Sequence, residues 1–451
     1  DPMMRSSRWL AVLLLLSMSP SWAQSPSSGK SFDHLPASDR QLISVKVAGT
    51  KRYADDAVLA ASGLQLGTTV TEDDFKKAAR RLGDLGVFSD IAYSYSYSSA
   101  GTKLALQVTD VDKFVPVRFE DFVWFSDQEL LQRIRERAPM FNGEVPLSGN
   151  LADRVSDVLQ ALLVENAIPG NVEYERAGQP NGPIDSILFR VSEVLIQIRN
   201  VEFTGAGEAE LPALKAAAQR VFEREYSRSV LHALVEHQLL PVYYTRGYLK
   251  AAFGEPQPKV VKKPSANSED GGPRNLTIVD VTFPVTPGQE YKIKALQWSG
   301  NQELSTDVLQ KMVRAQPGDV ANTVRVGDNL KDVQKLYGSR GYVTATVKAD
   351  AEFDDSAGTA LIHLDVKEGS VYHMGELEFR GLDNSLTAKL RSAWKIRPGE
   401  VYDSTYLSEY LPAAHKLLPS GLDWDVSPHV TANVRDKTVD VDLIYSVKAP
   451  K

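Results

Sequence analysis

The chain has 451 residues, with 51 lysines and arginines against 58 aspartates and glutamates, and 43% of it is hydrophobic. That balance is globular and excludes wholesale disorder, while a net charge of −7 argues against a nucleic-acid module, whose surface is normally cationic. No cysteine occurs, so disulfides, thiol nucleophiles and thiolate metal sites are all excluded.

Asp1 and Pro2 stand ahead of the first methionine and read as an N-terminal scar. Arg5 and Arg8 precede the apolar run Leu10 to Leu16, and Ser21-Trp22-Ala23 offers the small residues that a signal peptidase reads. Residues 1–23 are therefore expected to be a secretory signal peptide cleaved after Ala23. The run is too short to span a bilayer, and no cysteine follows that would carry a lipid. Residues 24–39 are rich in serine, proline and glycine and read as a flexible leader. No later segment is long and apolar enough to cross a membrane as a helix.

Beyond the leader the sequence repeats itself. A short alternating strand ending in glycine occurs at Val45-Lys46-Val47-Ala48-Gly49, Val201-Glu202-Phe203-Thr204-Gly205, Leu296-Gln297-Trp298-Ser299-Gly300 and Leu377-Glu378-Phe379-Arg380-Gly381. Val117-Arg118-Phe119-Glu120-Asp121 is a further copy with aspartate in the glycine place. Apolar residues at every second position predict a strand with one buried face, and the glycine a tight exit. A second mark follows in each copy: Leu85-Gly86-Val87-Phe88, Arg246-Gly247-Tyr248-Leu249 and Arg340-Gly341-Tyr342-Val343, with weaker echoes at Gly170 and Gly421. There a helix is predicted to stop at a glycine and a strand to begin at once.

Between the two marks the period changes from two to 3.6. Leu304, Val308, Leu309 and Met312 form one stripe, Leu330, Val333, Leu336 and Tyr337 another, and Thr71-Glu72-Asp73-Asp74 reads as a helix start ahead of Phe75, Ala78, Ala79 and Leu82. Alternating closing strands follow, such as Leu104-Ala105-Leu106-Gln107-Val108 and Leu361-Ile362-His363-Leu364-Asp365-Val366. Each unit is strand, helix, helix, strand, strand. The units are expected at residues 40–112, 113–194, 195–289, 290–370 and 371–451. In the third, residues 254–273 hold several prolines and glycines and read as a mobile inserted loop.

The β-α-α-β-β order, the glycine-ended first strand and the Gly-Tyr exits at Gly247 and Gly341 resemble POTRA domains. Five in tandem behind a signal peptide resemble the periplasmic portion of BamA-type outer-membrane assembly proteins. The likeness is strongest in the first, third and fourth units; the second has Asp121 for glycine and the fifth carries Pro412 in its second helix. It implies an α+β fold of five tandem POTRA-like domains, each a three-stranded sheet covered by two helices, in an elongated array without a transmembrane barrel in this chain. In the family the last such domain leads into a β-barrel. Here Ile444-Tyr445-Ser446-Val447 is followed by four residues, which leaves either a fragment of a longer product or a protein made of these domains alone.

The resemblance implies a binding role in the periplasm, at the inner face of the outer membrane. POTRA arrays take client polypeptides and accessory subunits partly by adding an incoming strand to a sheet edge. Expected partners are unfolded outer-membrane or secreted polypeptides, β-barrel or accessory assembly subunits, and a peripheral membrane contact; nucleic acid is not expected. Tyr93, Tyr95 and Tyr97 alternate with Ser94, Ser96 and Ser98, so the tyrosines either grip a client strand or pack on the unit's own helices. Tyr248, Leu249, Ala251 and Phe253 mark a second candidate, whose backbone is the better docking element. Lys262 and Lys263, in the expected loop, are candidates for docking or for a lipid headgroup.

Enzyme readings fail on inventory. His232 and His237 are five apart, off the spacing that puts two ligands on one helical face. No nucleophile elbow, P-loop or dinucleotide fingerprint occurs, and no cofactor or metal is expected. Asp354-Asp355 reads as a solvated turn rather than a carboxylate dyad. Three alternatives stay open: a structural linker that handles no clients, the periplasmic half of an insertase, and, weakest, a hydrolase on a repeat scaffold.

Overall fold

The computed structural model describes residues 32–263 and 275–447, so the expected signal peptide lies outside the described residues. The fold is α+β, with five separate sheets of three or four strands among the described residues and helices paired beside them. Among the described residues there is no closed barrel, and no helix is long and apolar enough to cross a membrane. The chain divides into two compact units. One comprises residues up to Phe119 with Ser126–Ala167 and Val172–Arg190; the other comprises Glu120–Phe125, Ile168–Asn171 and everything from Val191.

The first repeat runs β1 (Leu42–Ala48), α1 (Asp55–Ser62), α2 (Glu72–Asp84), β2 (Phe88–Ser98) and β3 (Gly101–Asp110). Helix α2 opens on a full capping box between Thr71 and Asp74 and buries Phe75, Ala78 and Leu82, as its pattern predicts. The closing strand β3 lies in the middle, parallel to β1 and antiparallel to β2. A central strand has both backbone edges satisfied and one face under the helices, hence buried Leu104, Leu106 and Val108.

The second repeat comprises β4 (Phe114–Phe119), α3 (Asp127–Arg137), β5 (Glu144–Pro146), α4 (Leu151–Glu165), β6 (Asn171–Gly178) and β7 (Ile184–Ser192), β5 being an extra short strand outside β4. The third has β8 (Leu195–Thr204) and α5 (Leu211–Ala218), then α6 (Arg228–Leu234) running through a π turn into α7 (Leu240–Tyr244). Pro241 cannot donate to a helical ladder, and the π turn directly before it re-spaces those bonds. Its sheet is β9 (Ala252–Phe253), β10 (Gln257–Lys262) and β11 (Leu276–Thr286) with β8. The expected loop 254–273 is corrected here, since Gln257–Lys262 pairs antiparallel with β11. Only Gly254-Glu255-Pro256 interrupts the strand, and Pro258 is tolerated because an edge strand need not donate on both sides. Residues 264–273 of that expected loop lie outside the described residues.

The fourth repeat is β12 (Lys292–Ser299), α8 (Thr306–Val313), α9 (Thr323–Ser339), β13 (Thr346–Asp354) and β14 (Thr359–Lys367). Val308, placed on the inner stripe by its spacing, is exposed, and Leu309 and Val313 carry the buried face of α8 instead. The fifth is β15 (His373–Arg380), α10 (Asn384–Ala393), α11 (Tyr406–His415), β16 (Trp424–Asn433) and β17 (Thr438–Val447), with Pro412 accommodated inside α11.

The strand-end glycines have one physical cause. Gly49, Gly205, Gly300 and Gly381 have φ of +97°, +86°, +76° and +79°, and a Cβ on any of them would overlap a carbonyl oxygen of the closing strand: Val108, Val285, Val366 or Tyr445. Asp121 fills that place differently, its carboxylate accepting the Val191 amide at 2.7 Å.

The helix-exit glycines also form joints. The carbonyl of Gly247 accepts the Tyr291 amide at 2.8 Å, and that of Gly341 accepts the Tyr372 amide at 2.8 Å, so the first strand of the next repeat begins on the glycine of the last. Asp355 reinforces the first of these joints, accepting Lys250 Nζ at 2.6 and 2.8 Å and the Tyr291 hydroxyl at 2.7 Å. Those donors hold its carboxyl below the usual carboxylate range. The expected exposed turn is found, but one of its two carboxylates has a tie beyond it. Asp354 does cap its own turn, through Ser356 and Ala357, but Asp355 ties two repeats together. In the first unit Arg52 lies 3.8 Å over the Phe114 ring and pairs with Glu144.

Glu120, just after β4, is partly buried. Burial alone would push its carboxyl up, but the Ser227 hydroxyl, the amide and hydroxyl of Ser229 and the charge of Arg228 outweigh it and hold it down. A depressed carboxyl stabilises the fold above its unfolded value and loses that contribution as pH falls through the folded one. Glu120→Gln is therefore expected to cost roughly 1–2 kcal/mol in urea titrations at pH 7, and the gap from wild type should close below about pH 4.

Candidate functional site: the open sheet edges

Every sheet has two backbone edges, and the repeats treat them unequally. The edge of the first strand is occupied near its start by the segment that joins the two helices. Gly67 and Leu42 exchange bonds with Leu42 and Thr68, Gly318 and Ile293 with Ile293 and Asp319, and Gly399 and Met374 with Met374 and Glu400. In the third repeat Tyr226 donates to Ile196 at 2.9 Å, and in the second the same segment is the full strand β5. The other terminal strands of the sheets are β2, β6, β10, β13 and β16. Their outward N–H and C=O groups are what an extended polypeptide can pair with.

Four of these five edges carry the usual guards against unwanted pairing. β6 holds Glu173, Glu175 and Arg176; β10 holds Pro258, Lys259 and Lys262; β13 holds Lys348, Asp350 and Glu352; β16 holds Asp425 and Pro428. β2 differs. It is 11 residues long, and after Asp90 it contains neither a charge nor a proline from Ile91 to Ser98.

Tyr93, Tyr95 and Tyr97 all point to the helix side of β2. The Tyr95 ring lies 4.7 Å from Phe32 and 5.1 Å from Phe75 of α2, Tyr93 lies 6.1 Å from Phe75, and Tyr97 lies 5.8 Å from Phe32. Burial pushes the Tyr95 hydroxyl pKa upward. The rings are thus engaged within the repeat, and β2 presents its backbone edge and the small exposed residues Ala92, Ser94, Ser96 and Ser98. Phe32 also corrects the leader. Its described part is folded, with a short 3-10 turn at Phe32–His34 and Phe32 itself buried, because a phenyl ring against Phe75 and two tyrosines outweighs the polar composition around it.

The candidates of the third repeat separate. Tyr248 packs edge-on against Tyr243 at 6.1 Å, and Phe253 bridges Tyr243 and Phe283 at 5.9 and 6.3 Å. Ala251 is buried, and Leu249 packs on the core of the fourth repeat. Backbone pairing at Ala252 and Phe253 is already taken by β11. Lys262 belongs to strand β10 and Lys263 follows it directly, so the expected loop position is corrected; both are exposed. Spacing alone missed the Lys250–Asp355–Tyr291 joint, for which no local motif exists. The occupied first-strand edge does leave a signal: Gly143-Glu144-Val145, Gly318-Asp319-Val320 and Gly399-Glu400-Val401 recur at the same point.

Among the described residues no three histidines and carboxylates lie close enough to hold a metal ion. His232 pairs with Glu255 at 2.9 Å and His363 with Glu352 at 3.4 Å, both at the surface.

The model of the family described as POTRA, surface antigen variable number repeat, matches residues 291–369. The chain is 22% identical over 325 residues to the outer membrane protein assembly factor BamA of Nitratidesulfovibrio vulgaris, covering 69% of this chain and 39% of that protein. It is 21% identical over 444 residues to the BamA of Buchnera aphidicola, covering 90% of this chain and 63% of that one. A crystal structure of Haemophilus influenzae BamA POTRA3-5 aligns with 57% of this chain and 96% of its own, at 21% identity and a TM-score of 0.42. The chain spans less than two thirds of the length of these curated relatives. Residues 291–369 match the POTRA family model, and the chain as a whole resembles the POTRA array of the periplasmic region of BamA-type outer-membrane assembly factors.

Proposed function

We propose that this chain is a non-enzymatic periplasmic scaffold of five POTRA domains. It takes extended segments of outer-membrane or secreted polypeptides, or of accessory assembly subunits, by strand addition during outer-membrane protein assembly. It works at the inner face of the outer membrane, and peripheral contact there falls to Lys262 and Lys263. The names of the relatives, outer membrane protein assembly factors, support the setting. One observation carries the mode: a single long edge, β2, is left unguarded while its four counterparts are charged or broken by proline. Strand addition needs only backbone groups, which suits clients of varied sequence.

Guarding that edge tests the reading. Ser94→Lys with Ser96→Lys should weaken binding of an unfolded outer-membrane polypeptide about ten-fold in fluorescence anisotropy, which is about 1.4 kcal/mol. Lysines at Ala349 and Ala351 of the already charged β13 should change little. Equal affinity in the β2 variant and wild type, or no binding by either, defeats the proposal. A purely structural linker, favoured by the hydrogen-bonded joints at Gly247 and Gly341, predicts no binding at all.

A further inference from the structure

A cavity of about 690 Å³ opens beside α7, α8 and α9; its lining shares no residue with β2, and it is independent of the reading above. Its lining includes Thr245, Lys311, Arg314, Gln316, Asp319 and Arg325. The cations Lys311, Arg314 and Arg325 are all exposed, and among the described residues none has a carboxylate within ion-pair distance. The one lining carboxylate, Asp319, accepts the Gln316 amide at 3.0 Å, so it is held by its own turn. The lining therefore carries a formal charge of +2 in a chain whose net charge is −7.

The backbone adds an independent mark. Arg314 ends α8 at φ 52° and ψ 35°, in the left-handed region that side chains avoid; at the same point of the first repeat α1 ends on Gly63 at φ 76°. A residue type ill-suited to that backbone stands where glycine would be relaxed, and it is one of the residues that line the cavity. The geometry points to a binding site for a doubly charged oxyanion of the phosphate type, free or carried on a lipid headgroup. A phosphate monoester near neutral pH carries about −1.5 to −2, which matches the lining, whereas a single carboxylate would leave it under-neutralised.

The test uses the full chain with two probes: inorganic phosphate by titration calorimetry, and vesicles of phosphatidylcholine with or without phosphatidic acid by co-flotation. Binding to at least one anionic probe, weakened by salt, is expected. The variant Lys311→Gln, Arg314→Gly, Arg325→Gln should lose it by at least about ten-fold. Arg314→Gly alone relaxes the backbone, so it keeps the fold and should still bind measurably more weakly. Phosphate without vesicle binding identifies a soluble ligand; vesicles without phosphate identify a headgroup. The inference is overturned if neither probe binds, if the folded variants bind as wild type does, or if Lys262→Gln with Lys263→Gln removes the binding instead.

Discussion

Gly381→Ala should lower the stability of the fifth repeat by about 3 kcal/mol, seen as early loss of β15–β17 in a urea titration followed by limited proteolysis. Two costs add at this position. The backbone is left-handed at φ +79°, and a Cβ would overlap the Tyr445 carbonyl oxygen of the closing strand. Gly399→Ala separates them: its φ is +85°, but nothing lies within 4 Å of the added Cβ. That variant should lose only about 1 kcal/mol, the backbone cost alone. Equal losses at the two sites would mean that the close approach to Tyr445 contributes nothing.

Glu368→Ala is the second large effect, at about 2 kcal/mol. Glu368 sits one residue beyond β14, and its Oε1 accepts the Gln302 amide at 2.7 Å, the Glu303 amide at 2.8 Å and the buried Tyr337 hydroxyl at 2.9 Å. One carboxylate thus ties the turn after β12 to helix α9 and to the central strand. Burial first, then this bond, push the Tyr337 hydroxyl well above the ordinary tyrosine range. Removing the acceptor strands three donors at once, while Tyr337→Phe removes one of those donors and should cost about 1 kcal/mol. The titration of Tyr337, followed by its ultraviolet absorbance in folded protein, should move back down in Glu368→Ala.

Much of the repeat was legible because its period switches are strong. Phe75, Ala78 and Leu82 announce α2, and the alternation of Leu104, Leu106 and Val108 announces a central strand. The glycine at the strand end was legible too, but only as a turn signal; the oxygen that excludes a side chain there comes from a strand 59 to 80 residues later. Strand β10 was hidden by Pro256 and Pro258, which read as loop yet are compatible with an edge. The tyrosine row showed its alternation but not its direction, because Phe32, the residue that covers it, lies in a stretch of leader composition. Which edge is open was legible in principle, from the Gly-acid-Val recurrence that occupies the first strand and from the missing charges in β2. Those signals gain meaning only when the sheet order is known.

The joints at Gly247 and Gly341 make the fourth repeat a cassette. At each the donor is a tyrosine amide and the acceptor a glycine carbonyl, both at 2.8 Å, so the two cut points present matching half-joints. Excising residues 291–371 removes β12 to β14 with α8 and α9 and places Tyr372 directly after Glu290, so the Gly247 carbonyl would meet the Tyr372 amide in the backbone setting of Tyr291. Loss of that repeat then keeps the backbone joint and gives up the Asp355 contacts with Lys250 and Tyr291, and the number of repeats becomes a quantity that can change by recombination while each remaining repeat keeps its own fold.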